Sequence, residues 1–94
     1  MFDIRLTERG DVVLAGRFDA AQVEKARSVF DTVIITSAVD FGGLEYISSA
    51  GLGLLIATQR RLKEAGHELK LRNLSPHIRD IFKSARFDLI FKIE

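Results

Sequence analysis

A chain of 94 residues holds one domain and leaves no room for a second. Its 47% hydrophobic content is ample for one core, and its 29% charged residues give a soluble surface. A net charge of +1 lacks the basic excess of a dedicated nucleic-acid or membrane binder, and the absence of cysteine excludes disulfides and thiolate metal sites, which suits a reducing cytoplasm.

Charges interrupt the first segment, Met1-Phe2-Asp3-Ile4-Arg5, unlike the apolar core of a signal peptide. No run approaches the ~18–20 apolar residues of a membrane span, so a small cytoplasmic domain is expected. Phe2, Ile4 and Leu6 alternate with Asp3, Arg5 and Thr7, which predicts a half-buried strand. Glu8-Arg9-Gly10-Asp11 predicts a tight turn, and Val12 to Ala15 a second, more buried strand, so the chain opens on a hairpin. Val23, Ala26, Phe30 and Val33 fall on one face of a helix that Asp19 can cap. Val33 to Phe41 reads as a buried strand, and Gly42-Gly43 break the run. Leu52, Leu55, Ile56 and Leu62 form the apolar stripe of the next helix, which starts near Ala50 and stops at Gly66 in a left-handed cap.

Glu68 to Arg72 alternates again as a strand. Ser75-Pro76 is an N-cap followed by proline at the first helical position, and Ile78, Ile81, Phe82 and Ala85 share one face of the helix it starts. Leu89, Phe91 and Ile93 predict a last short strand. The order β-β-α-β-α-β-α-β predicts an α/β domain: an N-terminal β-hairpin, then alternating helices and strands, with a mixed sheet and helices packed on it. Leu52, Leu55, Ile56, Ile78, Ile81 and Phe82 are expected to be buried against that sheet.

This topology fixes which residues can meet. The strand near residue 40 leads to Ser48-Ser49, the helix returns, and the parallel strand at 68–72 brings Asn73, Ser75 and His77 back to the same edge. Gly16-Arg17-Phe18-Asp19 reach that edge too if the second strand is parallel to these. His67 lies at the far end of a helix of about 15 residues, roughly 22 Å away. The edge beyond the carboxyl ends of parallel strands is where such folds bind partners and ligands. Two hydroxyls at a helix start have two readings. One serine caps the free N–H groups, or one accepts a phosphate, whose charge of about −1.5 to −2 switches a binding surface.

Enzymatic readings find little support. Ser49 as a nucleophile needs a base, and His77, the one geometrically possible base, reads better as an exposed first-turn helix residue. No Gly-x-Ser-x-Gly elbow is present. Gly51-Leu52-Gly53 is half a dinucleotide fingerprint, but Ile56 occupies the third glycine position. There is no Gly-x-x-x-x-Gly-Lys loop, and two histidines so far apart make no metal site. Arg60, Arg61 and Lys63 read as the solvated face of a helix. Lys70, Arg72, Arg79, Lys83 and Arg86 lack interleaved aromatics to stack bases. Neither catalysis, a metal, a cofactor nor nucleic acid is expected.

The segment Val39-Asp40-Phe41-Gly42-Gly43-Leu44-Glu45-Tyr46-Ile47-Ser48-Ser49-Ala50-Gly51-Leu52-Gly53 resembles the central motif of the STAS domain of anti-sigma factor antagonists. Gly16-Arg17-Phe18-Asp19 is similar to that family's Gly-x-Leu-Asp turn, and the resemblance covers essentially the whole chain, residues 1–94. It implies a STAS-like fold and a partner switch. The unmodified protein binds a serine-kinase anti-sigma factor, phosphorylation releases it, and a metal-dependent serine phosphatase reverses the step. The resemblance places the phosphate on Ser49, the second of the two small polar residues. Ser48, which stands where aspartate is frequent, is the second choice. Partner contacts are implied at Asp19, Ser48, Ser49, Gly51, Leu52, Ser75 and His77. The alternative within the same resemblance is a scaffold subunit of a transporter or stress-signalling assembly that is never phosphorylated.

Overall fold

In the computed structural model, which describes residues 1–94, Phe2–Leu6 (β1) and Val12–Phe18 (β2) form the antiparallel hairpin, with Phe2 opposite Gly16 and Leu6 opposite Val12. Ser37–Ile47 (β3), Leu69–Arg72 (β4) and Lys92–Ile93 (β5) complete one sheet in the order β1-β2-β3-β4-β5, and every pairing after the hairpin is parallel. Helices Val23–Phe30 (α1), Ser49–Glu64 (α2) and Pro76–Ser84 (α3) occupy the crossovers. Along β2, Val12, Leu14 and Phe18 are fully buried while Val13 and Ala15 are half-buried and Arg17 is exposed. The helices therefore cover one face of the sheet and leave the other open, and all the large buried side chains join one core. No helix is long and apolar enough to cross a membrane.

Several boundaries follow their expected chemistry. Asp19 caps a 3-10 turn over Ala20–Gln22, its Oδ1 accepting from the Ala21 N–H at 3.1 Å, and not α1 itself, whose N-cap is Gln22 with no side-chain hydrogen bond. Gly66 takes φ +82° after α2, and the Ser75 hydroxyl accepts from the Ile78 N–H at 3.2 Å with Pro76 opening α3.

The strand expected over 33–41 starts instead at Ser37 and runs on to Ile47. Val33 is buried beyond the end of α1 rather than on its face, and Ile34 and Ile35 are 69% and 58% exposed. Arg61, on the exposed face of α2 as expected, contributes to this. Its guanidinium donates to the carbonyls of Val33 at 2.8 Å and Phe30 at 2.9 Å, so the end of α1 and the loop after it are tied to α2 rather than to the sheet.

Nor do Gly42 and Gly43 break the strand. A Cβ on Gly43 would stand 3.1 Å from that of Ala15, so glycine is what lets β2 and β3 stay paired there. At the C-terminus Leu89 lies in a 3-10 turn, Phe87–Leu89, and is 71% exposed, leaving a strand of only two residues. The sheet can spare it because Phe91 supplies the buried side chain.

Of the six predicted core residues, Leu55, Ile78 and Phe82 are fully buried, while Leu52, Ile56 and Ile81 pack against the core but remain partly exposed. The buried face of α2 runs through Gly51, Leu54, Leu55, Thr58, Gln59 and Leu62. Two polar residues on that face had hidden its phase. The Thr58 hydroxyl donates to the Leu54 carbonyl, and Gln59 bridges two segments, accepting from the Leu69 N–H at 2.7 Å and donating to the Ile90 carbonyl at 2.8 Å. Gln59→Leu keeps the volume but strands a buried N–H, and we expect a loss of about 1–3 kcal/mol. A denaturant midpoint equal to that of the native chain would contradict this role.

Candidate functional site

The two serines divide their work by position. Ile47 pairs with Phe18 at the last rung of β2–β3, and the Ser48 N–H donates to the Phe18 carbonyl at 2.9 Å. Ser48 then takes extended dihedrals and becomes the N-cap of α2, its hydroxyl accepting from the Gly51 N–H at 3.1 Å. Its carbonyl receives the Leu52 N–H at 2.9 Å. The Ser48 side chain is thus engaged in starting the helix. Ser49, the first residue of α2, is exposed, and its hydroxyl makes no hydrogen bond within the chain. Capping and modification, offered by the sequence as alternatives, can therefore belong to different serines.

Asp19 belongs to the same cluster, because Phe18 just before it is hydrogen-bonded to Ser48 and its 3-10 turn packs on α2. Gly51 is the hinge of this packing. A Cβ there would lie 3.1 Å from Ile47 Cγ1 and 3.2 Å from Phe18 Cγ, whereas nothing stands within 4 Å of one built on Gly53. Both glycines cost helix propensity, but only Gly51 is required by its neighbours. Gly53→Ala should stabilise by about 0.5–1 kcal/mol. Gly51→Ala should lose more to overpacking than it gains in propensity, a net cost of about 1 kcal/mol. Thermal midpoints moving in the same direction for both would refute this contrast.

Leu52 is half-buried against the core. Ser75 and His77 lie at a different level of the sheet edge. Pairing of β3 with β4 ends at Asp40 opposite Arg72, seven residues before Ile47 on β3. Asp40 Oδ1 accepts from the Gly42 N–H at 2.8 Å and from the Asn73 side-chain amide at 3.2 Å, which fixes the loop beginning at Asn73 beside the middle of β3. No hydrogen bond joins Ser75 or His77 to either serine, and the exposed His77 sits in the first turn of α3. Arg72 is hydrogen-bonded to Glu94 at 3.0 Å. That bond, with the nearby carboxylates of Asp11 and Asp40, holds its pKa above the ordinary arginine value, so it is a paired cation rather than part of a free basic patch.

One pair at the site escaped the sequence. The guanidinium of Arg17 lies over the ring of Tyr46, 4.4 Å from its centroid. Its cause is a bulge: Gly16 pairs with Leu44 but Arg17 pairs with Tyr46, leaving Glu45 as the extra residue. Only the register reveals it. The described residues hold no cluster of histidine, cysteine or carboxylate side chains able to bind a metal ion.

A family model described as Mlab, STAS domain, matches residues 4–92. The chain belongs to the STAS domain family. Among curated relatives of this STAS domain, BtrV of Bordetella bronchiseptica, named as a candidate anti-sigma factor antagonist, is 36% identical over 74 residues, which are 79% of this chain and 58% of that protein. The anti-sigma F factor antagonist of Lysinibacillus sphaericus is 29% identical over 89 residues, covering 87% of this chain and 76% of the relative. Among solved structures, the anti-sigma factor antagonist SpoIIAA in its unphosphorylated form matches all of this chain and 87% of that one, with a TM-score of 0.73 at 26% identity. Phosphorylated Bacillus SpoIIAA matches with a TM-score of 0.72, again at 26% identity, over all of this chain and 91% of that one.

Proposed function

We propose that this STAS domain is an anti-sigma factor antagonist that works as a phosphorylation-controlled partner switch in the cytoplasm, with Ser49 as the modified residue. The observation that carries the residue assignment is the division of labour at the start of α2: the Ser48 hydroxyl is taken up as the N-cap, and the Ser49 hydroxyl is exposed and free. In this reading a serine-kinase anti-sigma factor binds the unmodified surface around Asp19, Ser48 and Ser49. The same kinase then transfers phosphate from its own ATP to Ser49, and a metal-dependent serine phosphatase removes it. The chain does no chemistry itself. Ser75 and His77 form an outlying part of the contact surface, set by the Asp40–Asn73 bond.

Physical chemistry supports a switch at this position. A phosphate at a helix N-terminus meets free N–H groups and the positive end of the dipole, so the fold tolerates it. The same charge desolvated in an interface without a partner cation is strongly unfavourable. The near-equal match of this chain to both forms of SpoIIAA agrees with a modification that leaves the fold intact. The test is intact-mass spectrometry after incubation with ATP and a candidate serine-kinase anti-sigma factor. We expect one phosphate on the native chain and on Ser48→Ala, and none on Ser49→Ala. Modification of Ser49→Ala alone would assign the phosphate to Ser48. No modification of any variant would favour the scaffold reading.

A further inference from the structure

We propose that Arg17 is the counter-ion of a phosphate on Ser49, held on the Tyr46 ring until the phosphate arrives. Arg17 is exposed, and none of the ion pairs in the structure includes it. The bulge at Glu45 is what leaves it so. In unbroken register Arg17 would face Glu45 and could be neutralised by its carboxylate, but the extra residue brings Tyr46 opposite instead, and the guanidinium stacks on the ring at 4.4 Å. A cation–π contact at an exposed site orders the side chain without discharging it.

The backbones of the two residues are also neighbours at the end of the β2–β3 pairing. Arg17 precedes Phe18, Ser49 follows Ser48, and Phe18 and Ser48 are joined by a 2.9 Å hydrogen bond. One hydrogen bond and two Cα–Cα steps, of about 3.8 Å each, therefore separate the two residues. Arg17 leaves β2 on the face away from the helices, so its side chain must turn past the strand end to meet a phosphate on α2, and the backbone span is within the combined reach of an extended arginine and a phosphoserine. A guanidinium pairs with a phosphate by charge-assisted, bidentate hydrogen bonds, which are stronger than the exposed stack it would leave. Phosphorylation then changes the site twice: it adds a dianion at Ser49 and withdraws Arg17 from the surface offered to the partner.

This inference rests on the reading of Ser49 as the modified residue, and its test needs neither kinase nor partner, so the two can fail separately. Phosphoserine is installed at position 49 during translation, and the phosphate is titrated by phosphorus NMR. A nearby cation favours the dianion and lowers the midpoint. We expect Arg17→Ala to raise it by about half a pH unit, roughly a threefold change in proton affinity, with Arg17→Lys in between. Tyr46→Leu keeps the cation and should leave the midpoint at or below that of the native chain. Arg5→Ala removes a cation whose register partner, Val13, lies four residues back along β2, and should not move it. An unchanged midpoint in Arg17→Ala, or an equal rise in Tyr46→Leu or Arg5→Ala, would overturn the assignment.

Discussion

Phe82→Ala is expected to destabilise the domain by about 3–5 kcal/mol, a large share of the 5–15 kcal/mol that holds such a fold together. The ring is fully buried and meets Phe41 and Phe87 edge-on at 5.7 Å each, with Phe91 at 6.2 Å. One side chain thus joins α3 to the middle of the sheet, to the following 3-10 turn and to the segment entering β5. Removing it opens a cavity among Phe41, Phe87 and Phe91, which come from three separate segments and cannot all close in. Leu55→Ala, on the buried face of α2, should cost about 2–5 kcal/mol, and the partly exposed Ile81→Ala should cost less than either. Urea midpoints report the ranking. Equal losses at Phe82 and Ile81 would contradict the phase of α3.

The second large effect falls on binding rather than stability. Ser49→Asp should keep the fold, because an acidic residue at the first position of a helix is electrostatically favourable. It should nonetheless bind the anti-sigma factor at least ~10-fold more weakly, since ~1.4 kcal/mol of uncompensated interface charge suffices. Ser49→Ala should bind as the native chain does and stay bound in the presence of ATP. Ser48→Ala should show the converse, losing about 1 kcal/mol of stability with its cap while remaining a substrate of the kinase. Native-like binding by Ser49→Asp would remove the electrostatic basis of the switch.

Much of this architecture was legible because local chemistry and tertiary packing agree. The strand of Phe2 and Ile4, the Ser75-Pro76 start and the Gly66 stop each act within a few residues, and the structure keeps them, although Leu6 at the end of β1 is exposed. The failures lie where a distant partner decides. Ile34 and Ile35 look like a strand, but the carbonyl of Val33 just before them is held by Arg61 from α2. Gln59 is buried because Leu69 and Ile90 offer it an N–H and a carbonyl, and no periodicity of apolar residues announces that. The glycine pair at 42–43 reads as a break in isolation, whereas Gly43 is a close approach once Ala15 of β2 lies beside it. At the site, Ser48 and Ser49 stood out as a pair, whereas their separate positions and the Arg17–Tyr46 stack depend on the β2–β3 register and its bulges.

The central claim is that a phosphate on Ser49 releases the partner without unfolding the domain. Its most direct test is a calorimetric titration of the serine-kinase anti-sigma factor with two forms of this chain, one carrying serine and the other phosphoserine at position 49, each checked for native circular dichroism. Identical spectra and an affinity at least ~10-fold lower for the phosphorylated form are expected. Equal affinities with both folds intact would contradict it.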